Sequence, residues 1–157
     1  MIIQSLQNQQ AMSNTYYELN VTFRDSENYK DTGIVIVDSK TYNNIKEDIN
    51  SGSEITIEDI GLTVDDFFNK ILKRSYEEET DHNAIEIRPE NVTPFEVPFT
   101  IVECCEDCGS HKVARLKWVN VNTEELYDED SGTTLEWCMN CKDETHIVEP
   151  FNLILNN

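Results

Sequence analysis

The chain has 157 residues, 38 % of them hydrophobic, enough for one domain or two small ones with a buried core. Its 31 Asp and Glu against 12 Lys and Arg give a net charge of −19, divided as −11 over residues 1–100 and −8 over residues 101–157. Such a field repels phosphate backbones and anionic bilayers, and no stretch approaches the run of about eighteen apolar residues that spans a membrane.

Residues 1–14 are rich in Gln and Asn and lack a basic start and an apolar middle, so they read as a flexible arm and not as a signal peptide. Ordered structure is expected from Tyr16. Tyr17, Leu19, Val21 and Phe23 alternate with Tyr16, Glu18, Asn20 and Thr22, the period of a half-buried strand. After a polar turn, residues 34–37 (Ile-Val-Ile-Val) are apolar on both faces and predict a central strand. Asp38 or Ser39 can cap a helix over 41–50, with Tyr42, Ile45 and Ile49 on one face and Gly52 as its stop. Ile55 and Ile57 mark a third, short strand. Thr63 followed by Asp65 and Asp66 predicts the start of a second helix over 64–75. Phe67, Phe68, Ile71 and Leu72 form its buried stripe, and Lys70, Lys73 and Arg74 lie toward its C-terminal end. The acidic run 77–81 reads as a solvated loop, and residues 84–88 as one more strand.

Pro89, Pro94 and Pro98 cluster where a boundary is expected, near 89–96. Beyond it Phe95, Val97, Phe99 and Ile101 alternate, then Ala114, Leu116 and Trp118. Ile147 and Val148 with Phe151, Leu153 and Leu155 are expected to complete the sheet. The predicted class is α+β: an N-terminal mixed sheet with two helices over 15–94, followed by a β-rich zinc ribbon over 95–157.

The ribbon is read from two C-x2-C pairs, Cys105 with Cys108 and Cys138 with Cys141. Each spacer lets one tight turn present two sulfurs to one ion, and four thiolates suit a closed tetrahedral Zn²⁺. Gly109 supplies the backbone freedom such a turn needs. A rubredoxin-like iron site is the competing metal, disfavoured because Lys142 stands where rubredoxins carry glycine; two disulfides are disfavoured by the expectation of a reducing cytoplasm. Cys104 reads as a small buried residue at a strand end. His111 and His146 are expected beside the site without ligating, and Trp118 and Trp137 as packing around it.

From Cys105 to His146, the pattern C-x2-C-G-S, then Trp118-Val119-Asn120-x-Asn122-Thr123-x-Glu125, then Trp137-Cys138-x2-Cys141 resembles small zinc-ribbon proteins carried by bacteriophages and mobile elements. The resemblance covers about 45 residues. It implies a phage-type origin, a host cytoplasm and zinc at those four cysteines, and it brings no enzymatic activity.

Three function classes follow. The favoured one is a non-enzymatic binding protein, an inhibitor that offers carboxylates where a basic nucleic-acid-binding defence protein expects phosphates. Glu124, Glu125, Asp128, Glu129 and Asp130, between the knuckles, are the candidate surface. The second is a structural adaptor of a virion or host complex. Direct nucleic-acid binding by a ribbon regulator would need a basic face, for which only Lys112, Arg115 and Lys117 offer themselves. An enzyme would have to use carboxylates such as Asp65 with Asp66 or Glu58 with Asp59, and neighbours in a helix face different directions.

Overall fold

The computed structural model describes residues 14–24, 30–74, 83–97, 102–116, 118–125, 135–151 and 153. The arm up to residue 13, the acidic run 77–81, Phe99, Ile101, Lys117, Asp128, Glu129, Asp130 and Leu155 lie outside them. The fold is α+β. Its first sheet is organised around β1 (Asn14–Arg24), which pairs along its length with β2 (Lys30–Asp38). The other edge of β1 is shared: its end meets β4 (Ala84–Glu86), which carries β3 (Ile55–Thr56), and its start meets β5 (Val92–Val97). Every ladder among the described residues is antiparallel, so the parallel pairs a mixed sheet requires are not among them. Because β5 pairs along β1, the first sheet continues through the proline-marked region.

The alternation of β1 sends Leu19, Val21 and Phe23 into the main core, all fully buried. Helix α1 (Ser39–Ser51) starts where Asp38 accepts a hydrogen bond from the Thr41 N–H at 2.8 Å and stops at Gly52, φ 74°. It buries Ile45 and Ile49 on this face and stacks Tyr42 on Tyr17 at 3.9 Å. The second helix, α2, starts as expected, with the Thr63 hydroxyl accepting from the Asp66 N–H. Its course departs from the expected α-helix: after Val64–Asp66 it widens to a π-helix over Phe67–Leu72. In it Phe67 and Phe68 are both buried, and Phe68 meets the Phe23 ring edge-on at 4.9 Å. Gly33 makes room for it, since a Cβ there would lie 2.6 Å from Ile71 Cγ2.

Strand β2, expected to be central, lies at the edge of the sheet formed by the described residues. Among the described residues it pairs only with β1, yet it is buried on both faces. Val35 and Val37 join the helix-side core, while Ile36 forms a second cluster with Val102 and Cys104. The far face of the sheet is therefore covered by the C-terminal part, which explains a doubly apolar strand at an edge.

That part contains β6 (Cys104–Cys105) paired with β10 (Ile147–Val148), and a three-stranded sheet of β7 (Val113–Arg115), β8 (Glu136–Cys138) and β9 (Asp143–Glu144). Phe151 and Leu153 do not extend a strand. They take helical backbone and pack on the two clusters of the first sheet.

Candidate metal centre

The sulfurs of Cys105, Cys108, Cys138 and Cys141 lie within 4.8 Å of one another, with 3.6 Å between Cys108 and Cys138 and 4.0 Å between Cys105 and Cys141. A tetrahedron with metal–sulfur bonds of about 2.3 Å has its corners about 3.8 Å apart, so the four residues can hold one metal ion. All five cysteines are free thiols.

Each pair sits on a strand end followed by a tight turn. In the first knuckle Gly109, at φ 82°, donates its N–H to the Cys105 carbonyl at 2.9 Å; in the second Lys142, at φ 57°, does the same to Cys138 at 2.8 Å. The turn thus forms with lysine in the glycine's place, which removes the sequence argument that Lys142 disfavours iron. A bond from the Met139 N–H to the Lys112 carbonyl ties the second knuckle to the strand after the first.

Donors converge on the sulfurs. The Cys108 N–H points at Cys105 Sγ, the Ser110 N–H at Cys108 Sγ and the Cys141 N–H at Cys138 Sγ, at 3.3–3.5 Å. The Thr145 hydroxyl lies 3.0 Å from Cys105 Sγ. Burial pushes the Cys105 thiol up, but Thr145 and the N–H groups of Cys108 and Asp107 outweigh it and bring it down to about 7. Cys141 is raised, chiefly by sharing hydrogen bonds with Cys108, and Cys138 is raised by burial. Sulfurs this close repel one another as thiolates, and a cation between them removes the repulsion. Cys104 is a buried strand residue facing Ile36, its thiol pushed up to about 12 by burial.

Neither histidine belongs to the cluster. His111 instead joins the ribbon to the first sheet. Glu18 of β1, only 5 % exposed, accepts at one carboxylate oxygen from the Ser110 hydroxyl (3.0 Å), the His111 N–H (2.8 Å) and His111 Nδ1 (2.6 Å). The His111 ring stacks on Phe95 at 3.9 Å. Glu18 is paired in register with Ile36, so the apolar and the polar contact of the ribbon lie side by side on one face. Sequence alternation marks that face only as polar, so Glu18 passed for a solvated residue. Lys73, also missed, leaves the end of α2 at φ 56° and donates to the carbonyls of Glu106 and Asp107 in the first knuckle. A cleft of about 400 Å³ follows this seam, lined by Ile34, Ile71, Lys73, Cys105, Gly109 and Phe151 among others.

Of the basic residues considered for nucleic-acid contact, Arg115 has its guanidinium held by Glu136 (2.8 Å) and Glu103 (2.9 Å). Trp118 does not pack around the cysteines. It is 57 % exposed, alongside exposed Leu116, Val119 and Val121. Glu124 and Glu125 are exposed as expected, on a turn organised by Asn120, whose side chain accepts from the N–H groups of Asn122 and Thr123 and whose carbonyl accepts from Glu124. Of the other acids considered, Asp59 accepts from the Thr56 N–H and Glu58 from the Asn83 side chain.

Fold and site together define an α+β protein with a four-cysteine cluster, in a ribbon-like pair of knuckles, able to hold a metal ion. No protein family, no curated protein and no solved structure matches the chain. No helix among the described residues is long and apolar enough to cross a membrane.

Proposed function

We propose that the chain is a non-enzymatic, acidic zinc-ribbon protein that binds a basic, nucleic-acid-binding protein and competes with its nucleic acid. The observation that carries this reading is the turn over 120–125. It is fixed by its own hydrogen bonds and presents Val121, 92 % exposed, beside Glu124 and Glu125 in a chain of charge −19. Charge alone attracts basic surfaces without selecting among them, and an ordered apolar tip supplies the selection. The resemblance between Cys105 and His146 supports a phage origin, and with the charge it suits an inhibitor of a host defence protein acting in the host cytoplasm. Zinc is the metal that four sulfurs in a closed site favour, and its role is to hold the ribbon.

Two measurements test this. Elemental analysis of protein purified under reducing conditions should find one zinc per chain; iron, with its colour, or no metal would overturn the zinc assignment. A partner isolated from the native host should release its nucleic acid when this protein binds, and the association rate should fall steeply with salt. Replacing Glu124, Glu125, Asp128, Glu129 and Asp130 together by their amides should slow association and leave the metal content unchanged. An association indifferent to salt, with nucleic acid still bound, would overturn the inhibitor reading. It would favour the adaptor, a reading to which the exposed Leu116, Trp118 and Val119 lend support.

A further inference from the structure

The ammonium of Lys73 lies on the N-terminal side of the seam, 33 and 34 residues before the two carbonyls it contacts. Those carbonyls belong to the spacer of the first knuckle, Glu106 and Asp107. The peptide group that carries the Glu106 oxygen carries the Asp107 N–H, and the one that carries the Asp107 oxygen carries the Cys108 N–H. The Cys108 N–H is directed at Cys105 Sγ at 3.5 Å, and the Asp107 N–H helps to hold the same thiol down. One cation therefore holds the outer ends of two peptide groups whose N–H ends act on the same sulfur. Hydrogen bonds in series polarise one another, so a donor at the oxygen end strengthens donation at the nitrogen end. Four thiolates around a divalent ion leave an excess of about two negative charges, which such an arrangement stabilises.

The rest of the knuckle is held from the same sheet. Gly109 lies against β2 so closely that a Cβ would come 2.8 Å from the Ile34 carbonyl oxygen, and Ser110 and His111 are bound by Glu18. The spacer between Cys105 and Cys108 is thus gripped at its carbonyls by Lys73 and at its exit by β1 and β2.

We propose that Lys73 is a positioning residue of the metal site, acting through the 106–107 and 107–108 peptide groups on Cys105, and that it sets how tightly this chain holds its metal. The inference rests on the metal-site reading above. Outer hydrogen-bond partners of metal ligands are typically worth about 10–100-fold in affinity, and an exposed lysine, screened by water, belongs at the low end.

The test uses the full chain and Zn²⁺ in competition with a chromophoric chelator, at constant pH and ionic strength. Lys73→Met should weaken Zn²⁺ binding about tenfold. Lys70→Met removes the same charge from the same helix, where Lys70 lies over the Phe151 ring, and should leave the affinity within about twofold. Lys73→Arg, which keeps a donor able to reach both carbonyls, should recover most of the loss. With Co²⁺ in the site, the sulfur-to-metal charge-transfer band should shift in Lys73→Met and stay in place in Lys70→Met. Equal affinities and equal spectra for the two methionine variants would overturn the proposal while the metal site stands. A wild-type chain that takes up neither Zn²⁺ nor Co²⁺ would overturn the metal site itself, and the role of Lys73 with it.

Discussion

The two parts of this protein are held together by different means. Among the described residues, positions 19–87 supply all fifteen buried side chains of the main core, with Leu19, Val21, Phe23, Ile57 and Phe67 fully out of solvent. In the ribbon the cysteines take that place: Cys104, Cys105 and Cys138 are buried, whereas the large exposed apolar side chains among the described residues all lie between Leu116 and Val148. One part buries apolar surface against two helices. The other has, among the described residues, strands of only two or three residues, and most of its exposed apolar side chains lie in the segments that connect them. Strands that short form no core of their own, so their order has to come from the cysteine cluster, with the ion it can hold, and from contact with the first sheet. The difference teaches where damage should be felt, and it can be tested part by part.

The largest effect should come from the cysteines. Structural zinc contributes about 10–16 kcal/mol of apparent binding free energy in small modules, and that energy is folding energy. Cys138→Ser, or a strong chelator, should therefore unfold the ribbon, read as loss of protection in hydrogen exchange over residues 102–148. The first sheet should keep its protected amides; a global collapse would break the comparison. Next, Phe68→Ala should destabilise the first part by about 3–5 kcal/mol, the usual result of truncating a fully buried phenylalanine. Thermal melting would show it, and an unchanged transition would contradict the packing of α2 against Phe23.

Acid should separate the parts in the opposite order of their cores. The thiols of Cys138 and Cys141 are raised, so a metal must displace protons from both, and falling pH favours the protons. With at least these two protons displaced, affinity should fall by at least about a hundredfold per pH unit, or about 2.7 kcal/mol. Metal release should therefore precede loss of the first sheet in an acid titration followed by zinc release and far-ultraviolet circular dichroism. The smallest effect probes the seam. Glu18→Ala leaves the Ser110 hydroxyl and two His111 donors without their acceptor, which should weaken docking by about 1–3 kcal/mol. Glu18→Gln, which keeps an acceptor oxygen, should cost less; equal losses would show that the carboxylate serves only as bulk.

What the sequence determined by itself was local. The C-x2-C spacings, the Asp38 cap, the Gly52 stop and the alternation of Leu19, Val21 and Phe23 depend on neighbours within a few residues, and short-range geometry makes such signals legible. The tertiary structure decided what each element meets. A doubly apolar run reads the same in a central strand as in an edge strand roofed on both sides, so only the docking of the ribbon placed β2. The widening of α2 depends on the space above Gly33, which no helical period records. Glu18 and Lys73 look like ordinary surface charges because their partners lie from 33 to 93 residues away. Trp118 looks like core because an indole is apolar in any sequence; only the fold shows it exposed. Spacing can bring four sulfurs to one point, whereas the hold on their knuckle comes from a sheet that folds far away in the chain.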